Sequence, residues 1–347
     1  LIERFVAELQ ARPEDDEVLL TKAGRFVNRV RPAAPAPGPS TALPCVLTLR
    51  HPGRHYALEW RSAPVPEPGP GQLVVEVRAA SLNYRDVMVA MGLVPVAPER
   101  RQPSLTSLGS DFAGTVTAVG PGVSRFAPGD RVAGVAAGCL GTHVVAHAAR
   151  AFTIPDGMTF AEAATMPVVF LTALHGLKHL ARLAPGETAL VHGAAGGVGL
   201  AALQVARQLG AKVIATAGTP AKRDLLRLLG VEHVLDSRGL RFAEDLRELT
   251  GGEGVDVVLN SLAGEGMLRS LRALKPYGRF VELGKRDFLE DNSLPLAPFL
   301  HNVAFFGVDL SAMIAAPSPL DARVDELREA LQAGLYRPLP LRRYAAA

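Results

Sequence analysis

Apolar positions follow two rhythms along this chain, and one gives way to the other near Ala161. Before it, short apolar runs at residues 45–49, 73–79, 114–119, 131–135 and 142–145 are separated by turns such as Pro68-Gly69-Pro70-Gly71. Many short strands at close spacing predict a barrel-like β domain. After it, apolar runs at residues 188–192, 212–216, 233–235, 255–260 and 279–283 alternate with amphipathic stretches at 198–209, 221–229 and 266–274. Strand then helix, repeated, predicts a parallel, doubly wound sheet of the α/β class. Ahead of both lie an amphipathic stretch over residues 1–6, a strand-like stretch over 25–30 and the Pro-rich run over 32–39. Its prolines fix φ and lack amide donors, so the run cannot enter a sheet and reads as a linker. What precedes it is the tail of an upstream unit or a segment packed on the main body.

With 347 residues the chain exceeds one ordinary core, so two domains, or one inserted into another, are expected. No apolar run approaches the length that spans a bilayer, so a soluble protein is expected, with no membrane partner. The net charge of +3 is spread among stretches of both signs such as Glu244-Asp245-Leu246-Arg247-Glu248, which gives no footprint for nucleic acid. Cys45 and Cys139 stand far apart without metal-ligand spacing, so neither a disulfide framework nor a zinc site can be built from them. A reducing, cytoplasmic location fits. The chain opens on Leu1 rather than Met, as would a piece cut from something longer.

The strand ending at His192 runs into Gly193-Ala194-Ala195-Gly196-Gly197-Val198-Gly199 and then directly into a helix. Glycines there let the backbone turn tightly and approach a pyrophosphate, while the helix N-terminus supplies free N–H groups and partial positive charge. The spacing is G-x-x-G-x-x-G rather than G-x-G-x-x-G, but strand, turn, helix and strand follow in the order a dinucleotide site requires. Gly193, Gly196, Gly197, Val198 and Gly199 are therefore cofactor-binding candidates. NAD sites usually place a carboxylate at the end of the second strand. Here Ala217-Gly218-Thr219-Pro220-Ala221-Lys222-Arg223 offers no acid, a hydroxyl at Thr219 and a cation at Lys222, so NADPH is expected over NADH.

Taken with Leu82-Asn83-Tyr84-Arg85-Asp86-Val87, Gly109-Ser110-Asp111-Phe112-Ala113-Gly114 and Asn260-Ser261-Leu262, these motifs make the chain resemble the medium-chain dehydrogenase/reductase superfamily. Within it, residues 42–344 most resemble the enoyl reductase domains of modular polyketide synthases. The resemblance implies a Rossmann sheet inserted into a β-rich GroES-like barrel domain. It divides the chain into an upstream segment and linker (1–40), the first part of the substrate domain (41–165), the NADPH domain (166–305) and a return to the substrate domain (306–347). A further helix and closing strand would be expected after that. It also implies that Thr172 lies near the nicotinamide, that Arg238 meets the 2′-phosphate, and that Asn83, Asn260, Ser261 and Leu262 border the cofactor. Asn83 and Asn260 are equally open as residues that fix the cleft or form turns. His192 is nearest the glycine loop and reads as a satisfied structural histidine. Where zinc-dependent relatives carry a His-Glu pair this chain has Ser110-Asp111, and their four-cysteine lobe is missing, so metal-free chemistry is implied.

A double bond conjugated to a thioester carbonyl accepts hydride at its β carbon and then needs a proton at the α carbon. Tyr84 is the first candidate donor, since a phenol keeps its proton at neutral pH. By resemblance, Lys285 and Asp309 are a second catalytic pair. The expected partners are an acyl carrier protein bearing a phosphopantetheine-linked enoyl chain, a neighbouring ketoreductase and other synthase domains. Two other readings remain open: a free-standing quinone or enal oxidoreductase, and a catalytically silent NADPH-binding structural protein.

Overall fold

A computed structural model describes residues 18–20, 25–27, 44–94, 108–315 and 319–345. The amphipathic stretch over 1–6 and the Pro-rich run over 32–39 lie outside them. Strands β1 (Val18–Leu20) and β2 (Arg25–Val27) pair antiparallel, with Val18 opposite Val27. Residues 28–30 of the strand-like stretch expected over 25–30 also lie outside the described residues.

Thr41–Tyr344 forms a compact unit of its own. It opens with a hairpin of β3 (Cys45–Arg50) and β4 (Ala57–Ser62), joined to the rest by a Val46–Gly141 bridge and by the Cys45 N–H on Thr142 Oγ1 at 3.0 Å. Next come β5 (Gln72–Ser81), β6 (Asp111–Val119), β7 (Arg131–Val135), β8 (His143–His147) and β9 (Ala151–Thr153), antiparallel throughout in the order β8-β5-β6-β7-β9. Leu73, Val75, Phe112, Val116, Val132 and Val144 meet inside it as one apolar cluster.

The second sheet holds β10 (Thr188–Val191), β11 (Lys212–Ala217), β12 (His233–Asp236), β13 (Val255–Asn260), β14 (Leu274–Glu282) and β15 (Ala304–Gly307), all parallel. Their order, β12-β11-β10-β13-β14-β15, reverses direction between β10 and β13. At such a reversal the connections leave to opposite faces, which opens a crevice at the carboxyl ends of the strands. Both faces are covered: Val257 and Leu259 pack into one core with the helix Gly197–Gln208, and Val258 into another with Leu246, Met267 and Phe280. Period-2 burial on both sides explains why these strands read as continuous apolar runs.

The helical run Phe160–Leu180 corrects one expectation. It is 21 residues long and contains an 18-residue window with a mean hydropathy of 1.4, which is the length and composition of a membrane span. Pro167, which starts the helix Pro167–Ala173, hides that length in the sequence. The run is mostly buried inside the protein: Phe170, Leu171, Ala173, Leu174 and Leu177 are core residues packed with Val191, Ala201 and Leu259. It is a core helix. The helix Leu320–Gln332 then returns to the antiparallel sheet, where Asp321 accepts from Arg150 Nε at 3.1 Å and Asp325 from Arg125 at 3.0 Å. Just beyond it Tyr336 rests on Phe170, ring centroids 4.9 Å apart.

Phe170 thus joins the core helix to the segment that closes over it. Phe170→Ala should destabilise the fold by about 3–5 kcal/mol, read as a fall in Tm, whereas Phe170→Leu should cost much less. Equal Tm values for the parent and Phe170→Ala would contradict this packing.

Candidate active site

A cleft of about 1240 Å³ lies at the carboxyl ends of β10, β13, β14 and β15. Gly193, Gly196, Val198 and Gly199 form part of its wall. Gly193 takes a left-handed φ of +59°, and a Cβ added at Gly199 would lie 2.5 Å from Ala194 Cα and from Gly193 O, so the helix can start this close to the strand only without a side chain there. The helix Gly197–Gln208 has no side-chain cap, so its first N–H groups are not taken by a cap side chain. That cradle fits a pyrophosphate. Gly197 lies inside the helix start and is not part of the cleft wall.

At the far end of β11, Thr219 caps the helix Pro220–Leu228, its Oγ1 accepting from the Lys222 N–H at 3.4 Å. Lys222 and Arg238 are both exposed, and Arg238 lies over Gly218, where an added Cβ would come within 2.8 Å of its Nε. Sequence reading missed Arg223, which ties this corner together by donating to Ala217 O at 3.1 Å and pairing with Asp236 at 3.0 Å. The corner therefore holds three cations and one carboxylate, and that carboxylate is paired.

His192 is buried beneath the loop. Ser270 Oγ donates to Gly266 O, so it accepts from His192 Nε2 at 2.8 Å, which leaves Nδ1 to accept from Thr216 Oγ1 at 2.9 Å. Burial pushes the imidazole down to about 3, so the ring is neutral. Phe242 meets it edge-on at 5.0 Å.

Asp111, the first residue of β6, is 1% exposed, and it sits where three parts of the chain meet. Its Oδ2 accepts from Ser81 Oγ at 2.5 Å and Asn83 Nδ2 at 2.8 Å, and its Oδ1 from the Val168 N–H at 2.7 Å in the first turn of the helix Pro167–Ala173. Burial raises its pKa to about 6 against the pull of those hydrogen bonds. Asn83 is thereby aimed, and Asp86 holds its other side, accepting from the N–H groups of Asn83 at 2.9 Å and Gly109 at 2.8 Å. The helix Tyr84–Ala90 begins there, with Tyr84 78% exposed and on the cleft wall. Thr172 also lines the cleft, its hydroxyl donating to Val168 O at 2.7 Å.

On the opposite wall, Lys285 Nζ donates to Val308 O at 2.6 Å and stands 3.9 Å from Asp309 Oδ2. Neither is buried; the pair faces the cleft. Arg85, also on the wall, feels the carboxylates of Asp86 and Asp309, although burial pushes its guanidinium below the ordinary value. Ser261 lines the cleft, whereas Leu262 does not and packs on Gly266. Asn260 is fully buried and turned inward: Nδ2 donates to Leu262 O at 2.8 Å and Glu282 Oε2 at 2.5 Å, and Oδ1 accepts from the Leu262 N–H at 3.2 Å. Asp86 and Glu282 were not singled out from the sequence, and Asp111 was noted there only for standing where a metal ligand would be. For Glu282 the signal was a carboxylate in an otherwise apolar stretch.

Residues 69–176 match the alcohol dehydrogenase GroES-like domain family, and residues 197–326 the zinc-binding dehydrogenase family. The phthioceranic/hydroxyphthioceranic acid synthase of Mycobacterium tuberculosis (strain ATCC 25618 / H37Rv) is 43% identical over 338 residues, which is 95% of this chain and 15% of that protein. The chain thus spans a small part of the curated relatives it matches, which are multidomain synthases. Among solved structures, the CurK enoyl reductase is 37% identical with a TM-score of 0.76, covering 86% of this chain and 90% of that one. Mycobacterial Rv1454c, solved in complex with NADPH, is 30% identical with a TM-score of 0.72, covering 85% and 90%.

A GroES-like antiparallel sheet and a Rossmann sheet sharing one cleft define a medium-chain dehydrogenase/reductase. The chain belongs to that superfamily and, within it, to the enoyl reductases of polyketide synthases. One matched family is named for zinc, and the donor set here does not fit that ion. Among the described residues no group of three or more His, Cys, Asp or Glu is placed to hold a metal, and Asp111 is committed to Ser81, Asn83 and Val168.

Because its pKa is raised, folded Asp111 takes up a proton near pH 6 while the unfolded chain waits until about pH 4. Its contribution to stability therefore rises as pH falls through that window. Asp111→Asn should be less stable throughout, and the gap to the parent should widen by about 2 kcal/mol between pH 7 and pH 4. A gap independent of pH, measured by denaturant unfolding, would contradict the burial of this charge.

Proposed function

We propose that this chain is an NADPH-dependent enoyl-thioester reductase, acting on the α,β double bond of a 2-enoyl chain carried by phosphopantetheine on an acyl carrier protein during polyketide elongation. One arrangement carries this reading: a single cleft has the glycine cradle on one wall and Tyr84, Lys285 and Asp309 around the rest. In this reading residues 41–165 and 306–347 form the substrate domain, residues 166–305 hold the cofactor, neighbouring ketoreductase and other synthase domains are its partners, and the location is cytoplasmic.

When bound, NADPH supplies hydride from C4 of its nicotinamide to the substrate β carbon. The N–H groups at the start of the helix Gly197–Gln208 bind its pyrophosphate. Thr219, Lys222, Arg223 and Arg238 take the 2′-phosphate, and Thr172, Ser261 and Asn83 border the reacting end. As the two electrons of the broken C–C π bond move toward the thioester carbonyl, Lys285 and Arg85 supply the positive charge that steadies the enolate. Tyr84 hands its phenolic proton to the α carbon, and Lys285, held by Val308 O and near Asp309, is the alternative donor. Turnover of a panel of 2-enoyl pantetheine thioesters with deuterated NADPH tests the reading: deuterium at the β carbon supports it. Reduction of simple quinones but of no thioester would replace it with a free-standing quinone reductase.

Lys222→Glu should raise the KM for NADPH at least about tenfold more than that for NADH, since a carboxylate beside a phosphate repels it; equal effects would remove Lys222 from the phosphate site. Tyr84→Phe should lower kcat or scramble α-carbon stereochemistry with a 2-methyl-enoyl thioester. An unchanged rate and product would take Tyr84 out of the proton transfer.

A further inference from the structure

Glu282 closes β14 beside Asn260, its partner in register at the end of β13, and is 2% exposed. Leu262 fixes the orientation of the Asn260 amide by using its oxygen and one of its N–H groups, so the remaining N–H points at Glu282 Oε2, 2.5 Å away. The Gly284 N–H meets Oε1 at 2.5 Å. Two donors held by covalent geometry thus face two oxygens, and only a group that accepts on both satisfies them. Burial raises the carboxyl to about 7 in spite of these bonds, so desolvation works against the ionised form that the two donors favour. The turn wraps directly on the carboxylate, since a Cβ at Gly284 would come within 2.7 Å of Oε1.

Beyond this grip lies Lys285. The backbone oxygen of Glu282 accepts from the Val308 N–H at 3.0 Å, and Val308 O in turn receives Lys285 Nζ at 2.6 Å. One residue therefore holds both the turn that leads into Lys285 and the strand end that receives its ammonium group. We propose that Glu282 is a positioning residue: its carboxylate locks the 283–285 turn to the end of β13 and fixes the point from which Lys285 acts in the cleft. The proposal rests on the enoyl reductase reading for what Lys285 does, while the lock itself can be read without turnover.

Glu282→Gln keeps the shape but must set an N–H against one of the two fixed donors. Hydrogen exchange on the full chain should then quicken about tenfold or more over residues 283–285 while the helix Gly197–Gln208 is unchanged; unchanged exchange at 283–285 overturns the proposal. In turnover of a crotonyl pantetheine thioester with NADPH, Glu282→Gln should lower kcat about ten- to hundredfold. Its KM for NADPH should move less than about threefold, and in a Lys285→Met background it should add less than about twofold. An equal kcat loss in both backgrounds overturns the proposal, because Glu282 would then be acting through the fold at large. If Glu282→Gln does not fold, Glu282→Asp, which keeps the charge but cannot reach both donors, takes its place in every arm. If the parent chain turns over no enoyl thioester, the enoyl reductase reading fails, and hydrogen exchange alone decides the lock.

Discussion

The carboxylate of Asp111 receives hydrogen bonds from β5, from the turn that opens the Tyr84 helix and from the first turn of the core helix. A charge in that position is tolerable only while all three donors stay on it, since a buried carboxylate that loses partners becomes more costly with each loss. The helix end it touches also favours negative charge. Asp111 therefore couples the antiparallel sheet to the helix that lines the parallel sheet. Asn83, Val168 and Thr172 reach the cleft in fixed mutual positions because they hang from that junction.

Glu282 repeats this logic on the opposite wall with a different geometry. Asp111 gathers donors from three separate elements, whereas Glu282 joins two neighbouring strand ends in one sheet. Between them the cleft is framed by two buried acids, and the exposed groups assigned to chemistry stand on the frame. Such an arrangement places rigidity beneath the site and leaves freedom at its surface, where a substrate must enter and leave.

Much of this fold was legible in the sequence because buried parallel strands are unbroken apolar runs, and the antiparallel strands are set off by Gly and Pro turns. β4 was not legible, since Ala57-Leu58-Glu59-Trp60-Arg61-Ser62 lies at a half-covered edge and mixes charge with apolar residues. β15 is only four residues long and sits at the sheet's end. The glycine turn and the helix it opens were legible because their determinants are local, a handful of consecutive residues between strand and helix. Asp111 and Glu282 were not: Asp111 finds its partners 28 to 57 residues away in sequence, and Glu282 finds Asn260 22 residues away. No spacing rule connects them. Tyr84 came from the chemistry of a phenol, and Lys285 and Asp309 from likeness to a family; the fold brings all three to one cleft.

The core helix has a bearing on how the chain is made. Its apolar run ends at Leu180, yet part of its cover, the helix Leu320–Gln332 and Tyr336, is encoded far downstream. A ribosome delivers residues in order, so for much of synthesis this stretch is outside the tunnel without its final shelter. The nascent chain must hold the run against the partly formed Rossmann sheet until the closing helix arrives.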